Sequence, residues 1–235
     1  MGMGDDILAT VQARALYQAT GHKVRPTNYW SPVWDGNPCF QHENGPAIDF
    51  QNKPGNRPYI LAQTADRFIW NPNYRAVPGE LYVNEHCDSE KVYGRWIIEP
   101  NVKGTISSDN KDWGFDRWQQ VAYRSNEALT QLGSGPWLGN VARIETATFV
   151  EAVAYLRGAA GFIGTDGGLH HAAAALGIPA IVIWGGFVSP DLLGYDSHIN
   201  LWSGARSCGS KASCAHCREA MLEVSVDEVV ECLNG

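Results

Sequence analysis

The residues of this sequence best suited to chemistry form a glycine turn and the start of the helix after it. Residues 164–168 read GTDGG and run directly into an alanine-rich stretch that favours a helix. Such a turn leaves backbone N–H groups unpaired at the positive end of the helix dipole. This arrangement is typical of phosphate binding. We therefore expect Gly167 and Gly168 to present their N–H groups to a diphosphate.

Asp166 lies inside this turn, where contact with a phosphate is unfavourable because both groups are negatively charged. We therefore expect its carboxylate to contact polar groups other than the phosphate. Two histidines, His170 and His171, follow in the helix. Neighbouring positions on a helix point about 100° apart, so at most one of the two faces a ligand squarely.

Four cysteines near the C-terminus form a second candidate site with the spacing C-x5-C-x2-C-x14-C: Cys208, Cys214, Cys217 and Cys232. This spacing predicts a structural tetrathiolate metal site, with zinc as the first choice and iron as the second. His216 is a possible substitute ligand. A closed thiolate site leaves no open position for a substrate, so the metal would be structural. The alternative is four reduced thiols, some of them buried as small apolar groups.

The composition is that of a folded protein with little affinity for polyanions. Of the 235 residues, 44% are hydrophobic and 18% are charged, which suits a packed core. The formal net charge of −7 argues against nonspecific binding of nucleic acid. The N-terminal residues do not resemble a secretory signal, and no apolar segment approaches the roughly 20 residues that span a bilayer. We expect a cytoplasmic protein whose cysteines are reduced.

The elements that position these groups read as alternating strands and helices. Residues 180–184 are a continuous apolar run, as expected for a strand buried on both faces of a parallel sheet. Gly177 and Pro179 end the preceding helix, and Thr148 is a candidate N-cap for an earlier one. The sequence therefore predicts an α/β fold with a parallel sheet. The remaining predicted elements are strands at 95–99, 137–138, 141–144 and 162–163, and helices at 115–132 and 226–233.

The N-terminal third is less regular. Residues 2–6 form a second glycine-acid turn before a helix that begins near Ile7. A buried strand normally precedes such a turn, and here only Met1 does, so either the strand is lacking or another segment replaces it. Eight prolines divide the chain between Gly21 and Gly94. The predicted strands in this part are 59–62, 67–70 and 80–83.

Residues 161–186, GFIGTDGGLHHAAAALGIPAIVIWGG, closely resemble the signature of glycosyltransferase family 9, the ADP-heptose:lipopolysaccharide heptosyltransferases. That signature reads D-[ST]-G-x-x-H-x-A-A-A-L-G-x-P and continues into an apolar strand and a glycine. Residues 3–8 resemble the family's N-terminal G-D-x-L turn, and residues 97–113 resemble the strand, polar loop and K-x-W of its donor site. The resemblance covers most of residues 95–235 and a short N-terminal piece, whereas residues 25–90 resemble nothing that we can place.

The resemblance implies a GT-B fold, in which two Rossmann-like halves with parallel sheets enclose the active site. This chain is considerably shorter than typical members of the family. We therefore expect an α/β, GT-B-like protein with a reduced N-terminal half. Residues 1–92 would form this acceptor-side domain, and residues 93–235 would form the nucleotide-sugar-binding domain with the cysteine-rich tail.

The resemblance also implies a reaction: transfer of a heptose or hexose from a nucleotide-diphospho-sugar to an acceptor hydroxyl, with inversion. An ADP-sugar is the favoured donor, although Gly167 replaces the family's Ser or Thr and removes a hydroxyl that could bond it. The acceptor would be a glycan, a lipid-linked glycan or a protein, and residues 25–90 would determine its specificity. Some heptosyltransferase-like proteins bind iron through cysteines in the corresponding region.

Two residues would carry the chemistry by this resemblance. Asp5 matches the family's catalytic base, and Lys111 matches the lysine that contacts the donor phosphate. A lysine amine suits a leaving diphosphate without a metal. Asp166 would bond the sugar hydroxyls or orient this amine. The alternatives are a helix N-cap at Asp5, for which Asp6 is the better candidate, and a solvated surface lysine.

The donor-binding set predicted from the turn and from the resemblance contains seven residues: Gly4, Ser107, Ser108, Thr165, Gly167, Gly168 and His171. His171 occupies the position of the motif histidine, and its alternative is a core histidine bonded to a backbone carbonyl. For the two serines the alternative is a solvated loop.

Two other classes of function fit the same residues. A non-catalytic module that binds sugar nucleotides or glycans is suggested by the reduced N-terminal half. Asp5→Ala would abolish transfer and spare donor binding in a transferase, whereas a pure binding module has no transfer to lose. A GT-B-type epimerase would act on the sugar nucleotide itself and would form product without any acceptor.

Overall fold

The computed structural model describes residues 2–42, 45–83, 87–102 and 107–235. Its helices are α1 (Met3–Thr20), α2 (Phe115–Arg124), α3 (Phe149–Leu156), α4 (Gly168–Leu176), α5 (Pro190–Leu193), α6 (Ala215–Glu223) and α7 (Val226–Asn234). Its strands are β1 (Lys23–Pro26), β2 (Ala47–Phe50), β3 (Ile60–Gln63), β4 (Phe68–Trp70), β5 (Trp96–Ile98), β6 (Leu129–Gly133), β7 (Ala142–Glu145), β8 (Gly161–Thr165), β9 (Ala180–Trp184) and β10 (His198–Trp202). Within the described ranges, no helix is both long and apolar enough to cross a membrane.

Six of the strands form one parallel sheet in the order β10-β9-β8-β5-β6-β7, which confirms the α/β prediction. β5 is the first strand of this sheet and lies in its middle. The chain then adds β6 and β7 on one side and returns to add β8, β9 and β10 on the other. The order therefore reverses between β5 and β8. In open α/β sheets, ligands bind at such a switch point, outside the carboxyl ends of the strands. Glu99 follows β5 and Asp166 follows β8, so both residues lie at this edge.

The unit β8–α4–β9 forms as the sequence predicts. Every residue of β8 and β9 is buried, in agreement with their apolar runs. Gly177 ends α4 with a left-handed φ of 70°, a conformation that favours glycine. Thr148 caps α3, because its hydroxyl accepts a hydrogen bond from the N–H of Glu151 at 3.1 Å. Local sequence signals thus determine the framework on which the glycine turn is mounted.

The N-terminal part consists of α1 and two small sheets, as expected for a reduced half. β1 and β2 pair in parallel, and β3 pairs with β4 antiparallel. Aromatic rings fill its interior, where Trp34 stacks on Phe40 with ring centroids 4.9 Å apart. Helix α1 packs on both β1 and α4, so it joins this part to the large sheet. A division of the chain at residues 92 and 93 stays a prediction.

Asp6 holds the N-terminal part onto α1. Its buried carboxylate accepts hydrogen bonds from the Tyr29 hydroxyl, from Ser31 Oγ at 2.8 Å and from Asn52 Nδ2 at 2.8 Å. Burial raises the pKa of Asp6 in spite of these bonds. The helix begins before this residue and has no side-chain cap, so the prediction that Asp6 caps it is wrong. The acidic residues of the first turn instead complement the positive end of the helix dipole.

Several predicted elements are wrong in extent or in type. The helix expected over residues 115–132 ends at Arg124, and Leu129 begins β6, because the segment is buried between two neighbouring strands. Residues 80–83 and 137–138 form no strand. Conversely, β1, β2 and α6 form where the sequence showed no clear periodicity. In these short segments tertiary packing decides the conformation.

Candidate active site

The N-terminal ends of α1 and α4 meet at the carboxyl edge of the large sheet. A Cβ on Gly4 would lie 2.5 Å from Cδ2 of His171 and 3.6 Å from the carbonyl oxygen of Gly167. From the opposite side, a Cβ on Gly168 would lie 3.4 Å from Cβ of Met3. Glycine allows this close approach of the two backbones. The positive ends of two helix dipoles therefore lie side by side at the glycine turn.

Lys111 and Asp166 form an ion pair beside this junction. The Lys111 ammonium lies 2.6 Å from Oδ2 of Asp166, and the two side chains are 25% and 6% exposed. Burial alone would raise the pKa of Asp166, but the Lys111 charge and the nearby His170 imidazole hold it well below its usual range. The carboxylate is therefore ionised, and Lys111 keeps free N–H donors for a ligand.

The two adjacent histidines are buried and neutral. Desolvation lowers the pKa of both imidazoles, although Asp166 Oδ1 lies 3.6 Å from a nitrogen of each ring. His171 is oriented by a 2.7 Å contact between its Nδ1 and the Tyr195 hydroxyl, and it contacts Gly4 of α1. The His170 ring nitrogens have no hydrogen bond within 3.5 Å among the described residues. Of the pair, His171 is the one beside the helix junction.

A short 3₁₀ turn, Ser108–Lys111, carries the lysine. Ser107 precedes this turn, and the buried Ser108 begins it, so both predicted serines lie close to Lys111 in the chain. Asn110 anchors the turn: its side-chain amide donates to the carbonyl oxygens at positions 210 and 212 and accepts a hydrogen bond from the N–H of Cys214. Thr165 is the buried last residue of β8, next to Asp166. Residues 103–106 of the predicted polar loop lie outside the described ranges.

Asp5 lies in the first turn of α1, next to the Gly4 contact. Its Oδ1 accepts a hydrogen bond from the Tyr59 hydroxyl at 2.5 Å, and its Oδ2 lies 3.1 Å from the Arg57 guanidinium. The side chain is 29% exposed. No side-chain cap closes α1, which excludes the alternative role of Asp5 as an N-cap. The carboxylate is thus oriented by two side chains and remains accessible.

Three functional candidates were missed in the sequence. Arg57 and Tyr59 lie in the proline-rich N-terminal part, where no motif indicated that they would reach Asp5. Glu99 could have been found, since it ends a predicted strand and strand ends carry ligands in parallel sheets. Its carboxyl Oε2 lies 3.9 Å from the position that a Cβ of Gly167 would occupy.

Three of the four predicted metal ligands lie together. The sulfur of Cys208 is 3.0 Å from that of Cys217 and 4.0 Å from that of Cys214, and all three lie within 4.8 Å of one another. The backbone N–H of Cys217 lowers the pKa of the Cys214 thiol, whereas burial raises the pKa of the Cys217 thiol. Sulfur ligands at these separations suit a zinc or iron ion.

Cys232 does not join this cluster, which corrects the predicted four-cysteine set. It lies on α7 and packs against the apolar cluster that this helix forms with α2 and the large sheet, which includes Val229, Trp118 and Ile181. Its spacing in the sequence was suitable, but the packing of α7 on β9 and β10 keeps its thiol away from the other three. His216 does not replace it, because its Nε2 contacts the carbonyl oxygen of Arg206 at 2.8 Å.

A cavity of about 800 Å³ lies between the β3–β4 hairpin and the segments 189–192 and 202–208. Its walls carry three guanidinium groups and several aromatic rings; they include Arg67, Arg75, Arg206, Trp70 and Trp202. Phe187 separates it from the ion pair, since its ring centroid lies 5.0 Å from the Lys111 amine and 5.3 Å from the Trp70 ring. The cavity is therefore a neighbour of the glycine turn.

The contact between the two helices predicts a large effect of a small substitution. Gly4→Ala places a methyl group against His171, and we expect the free energy of unfolding to fall by about 1–3 kcal/mol. Gly55→Ala is the control, because a Cβ there meets nothing within 4 Å, and we expect a change below about 0.5 kcal/mol. Urea unfolding followed by circular dichroism measures both. Equal stability of Gly4→Ala and the wild type would contradict this description of the junction.

The chain is similar in sequence to one described family. Residues 145–220 match the model of glycosyltransferase family 9 (heptosyltransferase), which confirms the resemblance noted in the sequence. The matched segment includes the glycine turn and the three clustered cysteines. No curated protein sequence matches the chain.

Solved structures of glycosyltransferases share the fold. The family 9 glycosyltransferase from Veillonella parvula DSM 2008 is 15% identical with a TM-score of 0.66, over 98% of this chain and 93% of that chain. The dodecameric iron-containing heptosyltransferase TibC, in complex with ADP-D-beta-D-heptose, is 13% identical with a TM-score of 0.64, over 100% of this chain and 73% of that chain. TibC comes from enterotoxigenic E. coli H10407.

The E. coli heptosyltransferase WaaC is 13% identical with a TM-score of 0.45, over 60% of this chain. The chain spans 42% of the length of WaaC. The likenesses to TibC and to the Veillonella protein confirm a GT-B-like fold, with the reduced N-terminal half described above.

Proposed function

We propose that this chain is a glycosyltransferase that moves a sugar from a nucleotide-diphospho-sugar to an acceptor hydroxyl with inversion. The observation that carries the proposal is the junction of α1 and α4, where Asp5, the glycine turn and the Lys111–Asp166 pair occur at one edge of the sheet. The family match over residues 145–220 supports the same reaction class.

The donor diphosphate would bind at the N-terminus of α4. Backbone N–H groups of Gly167 and Gly168 and the positive end of the helix dipole attract its oxygens. The Lys111 ammonium offers N–H donors that Asp166 does not use. His171 contributes a neutral imidazole held by Tyr195. An ADP-sugar is our choice of donor, because the similar structure of TibC is a complex with an ADP-heptose.

In the transfer step, Asp5 takes the proton of the acceptor hydroxyl, and the oxygen of that hydroxyl bonds to the anomeric carbon of the sugar. The bond from that carbon to the diphosphate breaks, and its electron pair leaves with the nucleotide diphosphate. Attack from the face opposite the leaving group inverts the configuration. Lys111 stabilises the charge that develops on the diphosphate, and Asp166 keeps the amine in position.

We propose the cavity beside Phe187 as the acceptor site. One wall comes from the β3–β4 hairpin and the residues after it, within the part of the sequence expected to set acceptor specificity. Its aromatic rings provide flat surfaces for sugar rings, and its guanidinium groups provide hydrogen-bond donors. A glycan, a lipid-linked glycan and a protein side chain all remain acceptors for direct assay.

A thermal-shift screen against ADP-, GDP-, UDP- and CDP-sugars tests the proposed function. A donor present at a hundredfold excess over its dissociation constant should stabilise the fold by about 2.7 kcal/mol. We expect the ADP-sugars to give the largest shift. If no nucleotide-diphospho-sugar shifts the melting temperature, the chain is not a transferase of this class.

We also propose that Cys208, Cys214 and Cys217 hold a structural zinc or iron ion. The thiols lie within 4.8 Å of one another, and the fold neighbour TibC contains iron. The ion would stabilise the loop between β10 and α6, and the proposed reaction does not pass through it. Such ions bind cysteine in its deprotonated, thiolate form.

The cysteine cluster predicts a difference between two matched variants. Cys217→Ser removes a ligand, and we expect the bound metal to fall from about one ion per chain to a small fraction of that. Cys232→Ser is the control, and its metal content should equal that of the wild type because its thiol lies apart. Elemental analysis of the purified proteins measures both. Equal loss in the two variants would restore Cys232 as a ligand, and a metal-free wild type would refute the site.

A further inference from the structure

Glu99 has a carboxyl group at the switch point of the sheet that the proposed reaction does not use. The residue follows β5 directly, and its N–H donates to the carbonyl oxygen of Ile163 in β8 at 2.9 Å. Its Cβ lies 3.4 Å from the position that a Cβ of Gly164 would take, and its Oε2 lies 3.9 Å from the corresponding position at Gly167. The side chain therefore runs along β8 and ends at the glycine turn.

This carboxyl group has no hydrogen bond or ion pair with another residue of the described ranges. The residue is half-buried, so part of it stays exposed to solvent. Desolvation raises the pKa of Glu99 from 4.5 to about 8. At neutral pH the group thus carries its proton and has one O–H donor that no residue of the described ranges accepts.

The protonation state decides what this group does to a diphosphate. An ionised carboxylate at the glycine turn would repel the ligand, as argued for any acidic group beside a phosphate. A protonated carboxyl group would donate a charge-assisted hydrogen bond to it, and such bonds are stronger than neutral ones.

We propose that Glu99, in its protonated form, donates a hydrogen bond to a diphosphate oxygen of the bound donor and makes donor affinity depend on pH. This inference rests on the proposed function, because it needs a diphosphate at the glycine turn. It adds a side-chain donor from β5 to the donors of α4 and of the 3₁₀ turn.

The charged groups around Glu99 do not replace it in this role. From β8 and α4, Asp166 is ionised but paired with Lys111, and His171 is neutral. From the 3₁₀ turn, Lys111 pairs with Asp166 and offers its remaining N–H donors to the same diphosphate, in addition to Glu99. From α1, Asp5 is paired with Arg57. Across β5, the neighbouring β6 residue Gln131 is an uncharged amide that donates to a backbone carbonyl.

The direction of the pH effect follows from the raised pKa. Donor binding needs the protonated carboxyl group, so the affinity is highest below about pH 8 and falls as the pH rises through that value. One pH unit above the pKa, about one carboxyl group in ten is protonated, so the apparent dissociation constant rises about tenfold. The same shift acts on folding. The contribution of protonated Glu99 to the free energy of unfolding is complete below pH 4.5 and is lost as the pH rises through about 8.

Calorimetric titration of the full chain with ADP-glucose, between about pH 6 and about pH 9, tests the proposal. ADP-glucose is a suitable probe because its diphosphate is a diester and does not titrate in this range. We expect the wild type to bind about tenfold more weakly at the upper end. Glu99→Gln keeps an N–H donor without an ionisable proton, so its affinity should stay near the low-pH value of the wild type throughout.

Two further variants serve as a loss-of-donor variant and as a control. Glu99→Ala should bind weakly at every pH, and Glu145→Gln, an exposed glutamate that ends β7, should follow the wild type. A wild-type affinity that does not change with pH, or the same pH profile in Glu99→Gln, refutes the role of Glu99 and leaves the proposed function intact. Absence of binding by every nucleotide-diphospho-sugar would instead refute the proposed function and this inference with it.

A measurement without ligand also distinguishes failure of the proposed role of Glu99 from failure of the proposed function. The unfolding free energy of the wild type, compared with Glu99→Gln, should fall between pH 4.5 and about pH 8. Parallel pH profiles of the two proteins would show that Glu99 is ionised in the folded state and would overturn the proposal whatever the ligand.

Discussion

Under the proposed function, we expect Asp5→Asn to lower the turnover of glycosyl transfer by about 10²- to 10⁴-fold and to leave the dissociation constant of the donor nearly unchanged. The asparagine keeps the shape of the side chain and one acceptor oxygen for Tyr59 or Arg57, but it cannot accept the proton of the acceptor hydroxyl. Stopped-time assays with a saturating donor, together with calorimetric titration of the donor, measure the two quantities separately.

The control for this prediction is Asp49→Asn. Asp49 belongs to the same N-terminal part and is also paired with an arginine, Arg25 at 2.7 Å, but its side chain is 63% exposed. We expect wild-type turnover in this variant. Full transferase activity in Asp5→Asn would remove Asp5 from the mechanism, and loss of donor binding in that variant would make it a structural residue.

Lys111→Met has the second large effect, and it acts on both stability and turnover. The substitution leaves the buried Asp166 carboxylate without its cation, and breaking a buried pair in this way costs about 3 kcal/mol of unfolding free energy. Under the proposed function, loss of a charged donor at the leaving diphosphate should lower turnover by about 10²- to 10³-fold. Chemical unfolding and steady-state assays provide the measurements.

A double variant separates the two effects of Lys111. In Lys111→Met combined with Asp166→Asn no buried charge is left unpaired, so stability should return to within about 1 kcal/mol of the wild type. Turnover should stay low, since the amine is still missing. Lys91→Met is the control, because Lys91 forms only an exposed pair with Asp88. Recovery of turnover in the double variant would show that Lys111 acts only through folding.

The C-terminal half of the fold was readable because its signals are local. The apolar runs of β8 and β9 need burial on both faces, and Gly177 ends α4 whatever surrounds it. The same locality explains the successful capping prediction at Thr148. Where the outcome depended on distant partners, local reasoning failed. The segment of β6 has helical composition, yet burial between β5 and β7 makes it a strand.

The candidate site was readable in its parts but not in its arrangement. The glycine turn and Asp166 follow from the sequence of one segment. The approach of Gly4 to His171 joins residues far apart in the chain, and only the packing of α1 on α4 reveals it. Arg57 and Tyr59 illustrate the limit, because no pattern in the proline-rich part indicates which side chains will reach Asp5.

The cysteines show a third kind of limit. Spacing alone made Cys232 equivalent to the other three, because sequence distance places an upper bound on separation and nothing more. The direction in which α7 leaves α6 determines where Cys232 lies. Ser225, with its capping box, begins α7 as a separate helix. Sequence spacing can therefore predict a set of candidate ligands, but the fold of the chain between them determines which of these come together.

Asn110 gives the protein a mechanical connection between two regions that have separate chemistry. Its amide is fully buried, and its donors and acceptor are all occupied by the segment from Ser210 to Cys214. A shift of that segment would strand buried polar atoms, at a cost of about 1–3 kcal/mol for each. The loop that carries the cysteines is therefore coupled to the adjacent Lys111 amine. The two must move together or stay fixed together.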